Sequence, residues 1–352
     1  MKIAVYAIAK NEAKHVKRWV DSTQGADVRI VLDTGSEDNT YELLQKYPIK
    51  AHRATLRDFR FDDARNLALD LVPLDVDVCV SLDMDEVPDP DFFDKIREGW
   101  KPETNRAWCM WDTGSIWANN NRIHSRQGYR WIKPCHEITK WIKQEPENVI
   151  VLETCVRHKP DDDKSRMYYL DLLNLAVEED PTDARMLAYL IREYYFNSNW
   201  NKIIEFGVKL EKLNAGWCIE NSASYRTVAQ AFFAQGDNQE GYNWLVKSAE
   251  ADPNSLEPWE ALANYHYLHK EWDECFNVAW KVNELSVASD LHYLSDPLVQ
   301  CKLYDFLSIA CWNLNKKGSA KKYARLAFEM NPEDQRLASN YYFMVTNVKE
   351  IQ

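Results

Sequence analysis

Glycine and proline are scarce in this chain, at 10 and 13 of 352 residues. That scarcity excludes a collagen-like or low-complexity polypeptide. Cysteine occurs eight times, yet no two are spaced as Cys-x-x-Cys. A zinc ribbon or a disulfide framework is therefore set aside in favour of reduced, buried thiols in a cytosolic setting. No apolar run approaches the roughly 18 residues of a membrane span. The short apolar stretch before Lys10 lacks the length and cleavage site of a signal peptide and reads as a first β-strand. A soluble, cytoplasmic protein is expected, with any membrane contact peripheral. Basic residues are outnumbered, 43 against 55 acidic, for a net charge of −12, which argues against a surface built mainly for phosphate backbones. The basic run Arg122, His124, Arg126, Arg130 and Lys133 reads as a solvated face, with a nucleic-acid contact as its alternative.

What is abundant is hydrophobic and aromatic: 45% of residues are apolar, with 14 Trp and 18 Tyr. These aromatics suit either carbohydrate-facing surfaces or helix packing. The length allows two domains, each with its own core. The first half alternates strand and helix. Ile3–Ala9, Val28–Leu32 and Val76–Leu82 read as buried strands and Ile49–Ala54 as a further strand; Asn11–Ser22 and Phe61–Leu71 have helical spacing, and Ser36 is placed to cap a helix through Leu44. Such alternation predicts an α/β, Rossmann-like domain with a parallel sheet between helices. Trp108–His158 predicts an antiparallel extension of short strands.

Beyond Asp161 the chain turns helical and repetitive. Pro181 opens a segment with Leu187, Leu190 and Tyr194, and Pro253 and Pro332 close segments in which Tyr225, Val228, Ala229, Phe232, Gly241 and Leu245, then Tyr304, Leu307, Ser308, Cys311, Ala320, Ala324 and Ala327 fall at the packing positions of a repeat of about 34 residues. Trp259, Leu262, Ala263 and His266 keep that phase after Pro253. The proline spacings exceed two repeats by a few residues, so small insertions are expected. The predicted boundary lies between residues 160 and 161.

Ligands of parallel sheets bind at the carboxyl ends of strands. Three such ends carry chemistry here: Ala9-Lys10-Asn11-Glu12, Asp33-Thr34-Gly35-Ser36 and Asp83-Met84-Asp85-Glu86. Strand alternation through Asp83-Met84-Asp85 sets both carboxylates on one side, where they repel unless a cation such as Mg²⁺ or Mn²⁺ joins them. Alone the triplet is a weak signal; its place after a buried strand strengthens it. The Asp33 segment is also good turn chemistry, and Arg65 has Asp62 and Asp63 as local partners. Cys135-His136 has no partners at zinc-ligand spacing.

The ordered segments Ile8–Glu12, Val31–Thr40, Ala64-Arg65-Asn66, Leu82–Glu86 and His136-Glu137 resemble a family-2 glycosyltransferase of the GT-A fold, in the branch fused to tetratricopeptide repeats. The resemblance covers residues 1 to about 160. It implies a nucleotide pocket lined by Ala9, Asn11 and Glu12, with Asp33 reading base or ribose and Arg65 near the diphosphate. It implies Asp85 as the main metal ligand, Asp83 on ribose or metal, and His136 completing the shell of Mn²⁺ or Mg²⁺, unless His136 is a structural histidine. Inverting transfer from a nucleotide sugar, UDP-sugar foremost, is implied, with Glu137 as candidate base and Glu86 and Asp112 as rivals. His158 is placed either at the border of the donor site or in the linker. The acceptor is left open among glycan, peptide or protein, and modified DNA base; the helical half would hold acceptor, protein partner or second subunit. The alternative is a repeat scaffold whose nucleotide-sugar domain binds without catalysis. A nucleotidyltransferase would need a Gly-rich phosphate loop that the N-terminus lacks.

Overall fold

The computed structural model describes residues 1–112, 117–159, 169–285 and 295–347, with the backbone alone at 117–120. The expected boundary at residues 160 and 161 lies outside the described residues. Contacts divide the chain into two units, Met1–Ala176 and Val177–Gln352.

In the first unit, strand and helix alternate: β1 (Ile3–Ala9), α1 (Ala13–Ser22), β2 (Val28–Asp33), α2 (Thr40–Leu44), β3 (Lys50–Arg53), α3 (Phe61–Asp70) and β4 (Val78–Ser81). There follow β5 (Glu86–Pro88), α4 (Phe92–Gly99), β6 (Arg106–Asp112), β7 (Trp117–Ser125), β8 (Tyr129–Ile132), β9 (Ile138–Trp141) and β10 (Val149–His158). Eight strands form one sheet in the order β3-β2-β1-β4-β7-β6-β10-β5, and β8 pairs with β9 apart from it. The first four strands are parallel, as the alternation predicts. The extension is mixed rather than antiparallel throughout. β7 runs against β4 and β6, β6 runs with β10, and β5 runs against β10.

The period of two along β1 explains why both sheet faces are apolar. Ile3, Val5, Ala7 and Ala9 enter a core with Val16 and Trp19 of α1 and Phe92 and Ile96 of α4. Ala4 and Tyr6 enter a second core with Ala68 and Leu69 of α3 and Trp131 of β8. The indole nitrogen of Trp19 also donates to the Leu82 carbonyl at 3.2 Å. That bond pins α1 to the strand end from which the acidic triplet emerges.

Ser36 does not cap α2. Gly35 adopts φ 108°, a left-handed bend that glycine tolerates, and the helix begins only at Thr40, whose amide is met by the Asp38 carboxylate at 3.0 Å. The Ser36 hydroxyl instead accepts the Asn11 amide at 2.8 Å.

Helix α5 (Tyr169–Glu179) contains the boundary between units. After it come α6 (Ala184–Phe196), α7 (Trp200–Leu213), α8 (Cys218–Ala234), α9 (Asn238–Ala251), α10 (Glu257–Leu268), α11 (Trp272–Ala279), α12 (Lys281–Glu284), α13 (Val299–Asn313), α14 (Lys317–Met330) and α15 (Gln335–Asn347). The second unit is all-helical among its described residues, with α6/α7, α8/α9, α10/α11 and α13/α14 packed as successive pairs. Small residues sit where helices cross: a Cβ on Gly207 would meet Val228 at 2.2 Å, and one on Gly241 would meet Phe233 at 2.2 Å. Val228, Ala229, Leu307, Cys311 and Ala320 are fully buried, as the repeat phase predicts. Asp183, Asn199 and Asp237 cap α6, α7 and α9 with their side chains.

Candidate active site

The loops after β1 and β2 are stapled together. The Asn11 side chain accepts the Glu37 amide at 2.8 Å, the Glu12 amide donates to Thr40 Oγ1 at 2.8 Å, and the Ala9 carbonyl accepts the Thr34 amide at 2.9 Å. Asn11 needs φ 58° for this, a conformation that asparagine adopts more readily than most residues. Glu12 faces His15 at 3.8 Å.

Asp33, at the end of β2, is fully buried. Its Oδ1 accepts the amides of Gly35 and Ser36 and the Nε of Arg53, each at 3.0 Å. Burial pushes its carboxyl up, but the bonds from Ser36, Gly35 and Arg53 prevail and hold it below the usual aspartate range. Its Oδ2 is buried without a hydrogen-bond partner. The turn reading of Asp33 accounts for one oxygen and leaves the other.

Strand β4 ends at Ser81, so Asp83-Met84-Asp85 is a turn and strand alternation does not govern it. The two carboxylates have different neighbours. Asp83 is clamped by Arg65 at 2.8 and 3.2 Å and by Arg122 at 2.7 Å. Burial opposes its charge, yet the two guanidinium groups win and hold it far below the usual carboxylate range. Asp85 turns to His158, with Oδ2 and Nε2 3.4 Å apart, and its carbonyl accepts the Lys159 amide at 2.8 Å. The hydrogen bond to Asp85 raises the His158 pKa, and the ring stacks on Trp111 at 5.2 Å.

Arg65 ignores Asp62 and Asp63, which are served by Arg60. Its Nε donates to Glu137 Oε1 at 2.5 Å, its Nη1 to Ser81 at 3.2 Å, and its guanidinium lies 4.9 Å from the Trp131 ring centre. Burial disfavours its charge, but Asp83 and Glu137 keep it well above the ordinary arginine value. Next to it, Asn66 exchanges two 2.9 Å hydrogen bonds with the backbone of Trp131. The Ala64-Arg65-Asn66 segment therefore docks β8, and β8 leads to Glu137. Arg65 is thus a strut between two carboxylates.

The basic run is a solvated face only in part: Arg130 is exposed, while Arg122, His124 and Arg126 turn inward. Arg122 reaches Asp83 and Glu86, and the imidazole of His124 is buried against Tyr6 Oη at 2.9 Å. Arg126 is buried, while Arg130 pairs with Asp70 at 3.1 Å. Residues of β7 alternate into the core, which charge counting along the sequence does not register.

Among the candidate bases, Glu86 is buried and spends its oxygens on the Asp83 amide at 2.8 Å, on Trp111 Nε1 at 3.1 Å and on Arg122. Burial raises its pKa above the glutamate norm. Asp112 pairs in register with Arg157, while Glu86 pairs with His158. Alternation therefore places Asp112 on the sheet face away from His158 and Glu86. Glu137 stays with Asp83 through Arg65, and its Oε2 has no hydrogen-bond partner among the described residues. His136 adopts φ 47° and packs its ring 5.7 Å from Tyr169; the imidazole that meets Asp85 is that of His158.

A carboxylate and an imidazole form a mixed donor set suited to Mn²⁺ and related ions. Among the described residues no group of 3 or more His, Cys, Asp and Glu gathers as a metal cage. Ions held by one or two side chains complete their shell with substrate phosphates and water, so the Asp85–His158 pair fits an ion that arrives with a diphosphate. Sequence reasoning missed Arg122 and undervalued His158. Their signal was position: one lies within a strand beside β4, the other at the end of the strand beside β5.

Residues 5–160 match the family model described as glycosyl transferase family 2. No curated protein matches the chain in sequence. Among solved structures the chain is similar to MamA, with a TM-score of 0.37 and 16% identity over 47% of this chain and 89% of that one. It is also similar to TTC0263, a thermophilic TPR protein of Thermus thermophilus, with a TM-score of 0.34 and 17% identity over 50% and 89%. For pilF of Pseudomonas aeruginosa the TM-score is 0.39 and the identity 10%, over 51% and 72%. No described helix is long and apolar enough to cross a membrane.

Proposed function

Residues 5–160 are a glycosyl transferase family 2 domain, so the protein is a glycosyltransferase; from that premise we propose that it moves a sugar, with inversion, from a nucleoside-diphosphate donor, foremost a UDP-sugar. The reading rests on one observation: Asp33, the clamped Asp83 and the Asp85–His158 pair gather at the carboxyl ends of β2 and β4, where α/β sheets bind ligands.

Each residue has a task in this reading. Asp33 Oδ2 is a buried acceptor without a donor, a state that costs about 1–3 kcal/mol. A base N–H or a ribose hydroxyl would relieve it, with Ala9, Asn11 and Glu12 forming the adjoining wall. Asp83, fixed by two guanidinium groups, would face ribose rather than metal. Asp85 and His158 would hold Mn²⁺ or Mg²⁺ with diphosphate oxygens, in place of the shell with His136. Such an ion offsets the charge that builds on the departing diphosphate. Glu137 is the base of choice: Arg65 fixes one oxygen, and the other takes the acceptor proton as the new glycosidic bond forms and the bond from the anomeric carbon to the diphosphate breaks.

The test is incubation with Mn²⁺ and a panel of nucleotide sugars, reading diphosphate release and nucleotide-induced change in Tm. Release from a UDP-sugar that stops on chelation supports the proposal. No release and no rise in Tm with any donor sinks it in favour of a binding-only domain. His158→Ala should lose the Mn²⁺ response while His136→Ala keeps it; the reverse returns the ligand role to His136. Mass-spectrometric screening of glycans, peptides and DNA carrying modified bases then identifies the acceptor.

A further inference from the structure

At the amino end of β4, opposite Asp83 and Asp85, a second site is built around a buried arginine. Arg126 is only 8% exposed. Its amide donates to the Asp77 carbonyl just before β4, and its Nε donates to the Val72 carbonyl at 2.9 Å. The other two deeply buried arginines among the described residues are matched by carboxylates: Arg65 by Asp83 and Glu137, and Arg106 by Glu147 at 2.6 Å. Arg126 has no carboxylate partner among the described residues, and its terminal nitrogens make no hydrogen bond there. Buried charges are ordinarily paired, because burial without a partner costs several kcal/mol.

The uncommitted guanidinium opens on a cleft of about 460 Å³ that Asp70, Leu74, Tyr129, Arg130 and Ile142 also line. That volume falls in the range of small-molecule sites. Leu74 is 74% exposed and Ile142 57%, so the mouth is apolar. Arg130 stands at the mouth already neutralised by Asp70 at 3.1 Å. The cleft therefore carries one uncompensated positive charge at its floor and apolar surface at its rim.

We propose that this cleft binds a small organic carboxylate, whose head takes the two terminal nitrogens of Arg126 and whose apolar body lies on Leu74 and Ile142. The charge balance selects the head group. Among the described residues one free cation faces the cleft and matches a monoanion, and the planar fork of a guanidinium matches a carboxylate through two parallel bonds. A dianionic phosphate would remain half uncompensated. The site lies the length of β4 from the acidic triplet, so its ligand is neither sugar donor nor leaving group, and occupancy is independent of Mn²⁺ and nucleotide.

Calorimetry on the full chain with hexanoate, hexanol and inorganic phosphate tests this. Hexanoate should bind, with hexanol and phosphate each roughly 10-fold weaker or undetectable, since hydrogen bonds to a charged group carry that much. Arg126→Gln should weaken hexanoate by roughly 10-fold or more. Leu74→Asn, at a side chain that folding leaves in solvent, should weaken hexanoate by about 3-fold through lost apolar contact. It remains decisive should Arg126→Gln not fold. Absence of hexanoate binding, equal binding of hexanol, a preference for phosphate, or unchanged hexanoate affinity in Leu74→Asn or in folded Arg126→Gln overturns the proposal.

Discussion

The two units bury different things. In the sheet unit, Asp33, Arg65, Asp85, Glu86, Arg106, His124 and Arg126 are all buried, and most are joined by ion pairs. In the helical unit, buried serines bond to local backbone or to one another, such as Ser222 with Ser248 at 2.9 Å and Ser308 with the Asp305 carbonyl at 2.7 Å, and buried charges are scattered, with Asp305 on Arg336 and His266 on Glu271. Stability in the helical unit comes from apolar surface and from close approach at Gly207, Gly241 and Ala320. A buried ion-pair chain is weak as a source of stability but strong as a way of fixing side chains. The sheet unit thus links its buried charges into one chain through Arg65, Asp83, Arg122 and Glu86, whereas those of the helical unit stand apart from one another.

The contrast breaks most sharply at Asp85. Asp85→Ala should lower turnover on the order of a thousandfold, as loss of one transition-state contact does elsewhere, with Tm nearly unchanged. Retention of a tenth of the activity would remove Asp85 from the metal site. Next in size, Arg65→Met leaves Asp83 and Glu137 sharing a buried site without their strut. Breaking such a network costs about 3–5 kcal/mol, discounted here because Asp83 retains 28% of its side-chain exposure. Urea unfolding that moves by less than about 1 kcal/mol would mean the chain is loose in solution.

A pH effect separates the units further. Burial lowers the His124 pKa from 6.5 to about 4. Its folded value lies below its unfolded one, so the unfolded state binds the extra proton between those values. Stability from this group is full above about pH 6.5 and declines as the pH falls toward 4, by an order of 2–3 kcal/mol. His124→Asn should flatten that part of the unfolding profile; an unchanged slope assigns it to other groups. The smallest effect belongs to the helical unit. Gly207→Ala sets a methyl against the stiff Val228 side chain, a cost of about 1–3 kcal/mol partly offset by better helix propensity. Thermal denaturation should show the loss, while turnover per folded molecule stays at the wild-type level.

Much of the fold was legible because its signals are local. The parallel strands, the intervening helices and the packing residues of the repeats follow from periods of two and 3.6 and from small residues at regular intervals, although β3 is an exposed edge strand. Among site residues, Asp33 and the acidic triplet were legible as strand ends. The partners of the triplet were not: reading it as extended strand put both carboxylates on one side, whereas a turn sends Asp83 to Arg65 and Arg122 and Asp85 to His158. Asp112 stood as a rival to Glu137 on sequence, whereas strand register turns Asp112 away from His158 and Arg65 holds Glu137 beside Asp83.

The sequence by itself determined most of the stretches that become strands and helices, that a sheet is followed by helical repeats, and which strand ends carry acid. Those properties depend on neighbours within a turn or two of chain. Only the tertiary structure decided which charges meet. Arg65 and Glu137 are 72 residues apart in sequence and 2.5 Å apart in space, and Arg122 became a ligand of Asp83 because β7 inserts beside β4. For the same reason Arg126 has no counter-ion among the described residues: strand order brought none of their carboxylates to it. Pairing between distant charges depends on sheet order and register, and these are properties of the whole fold.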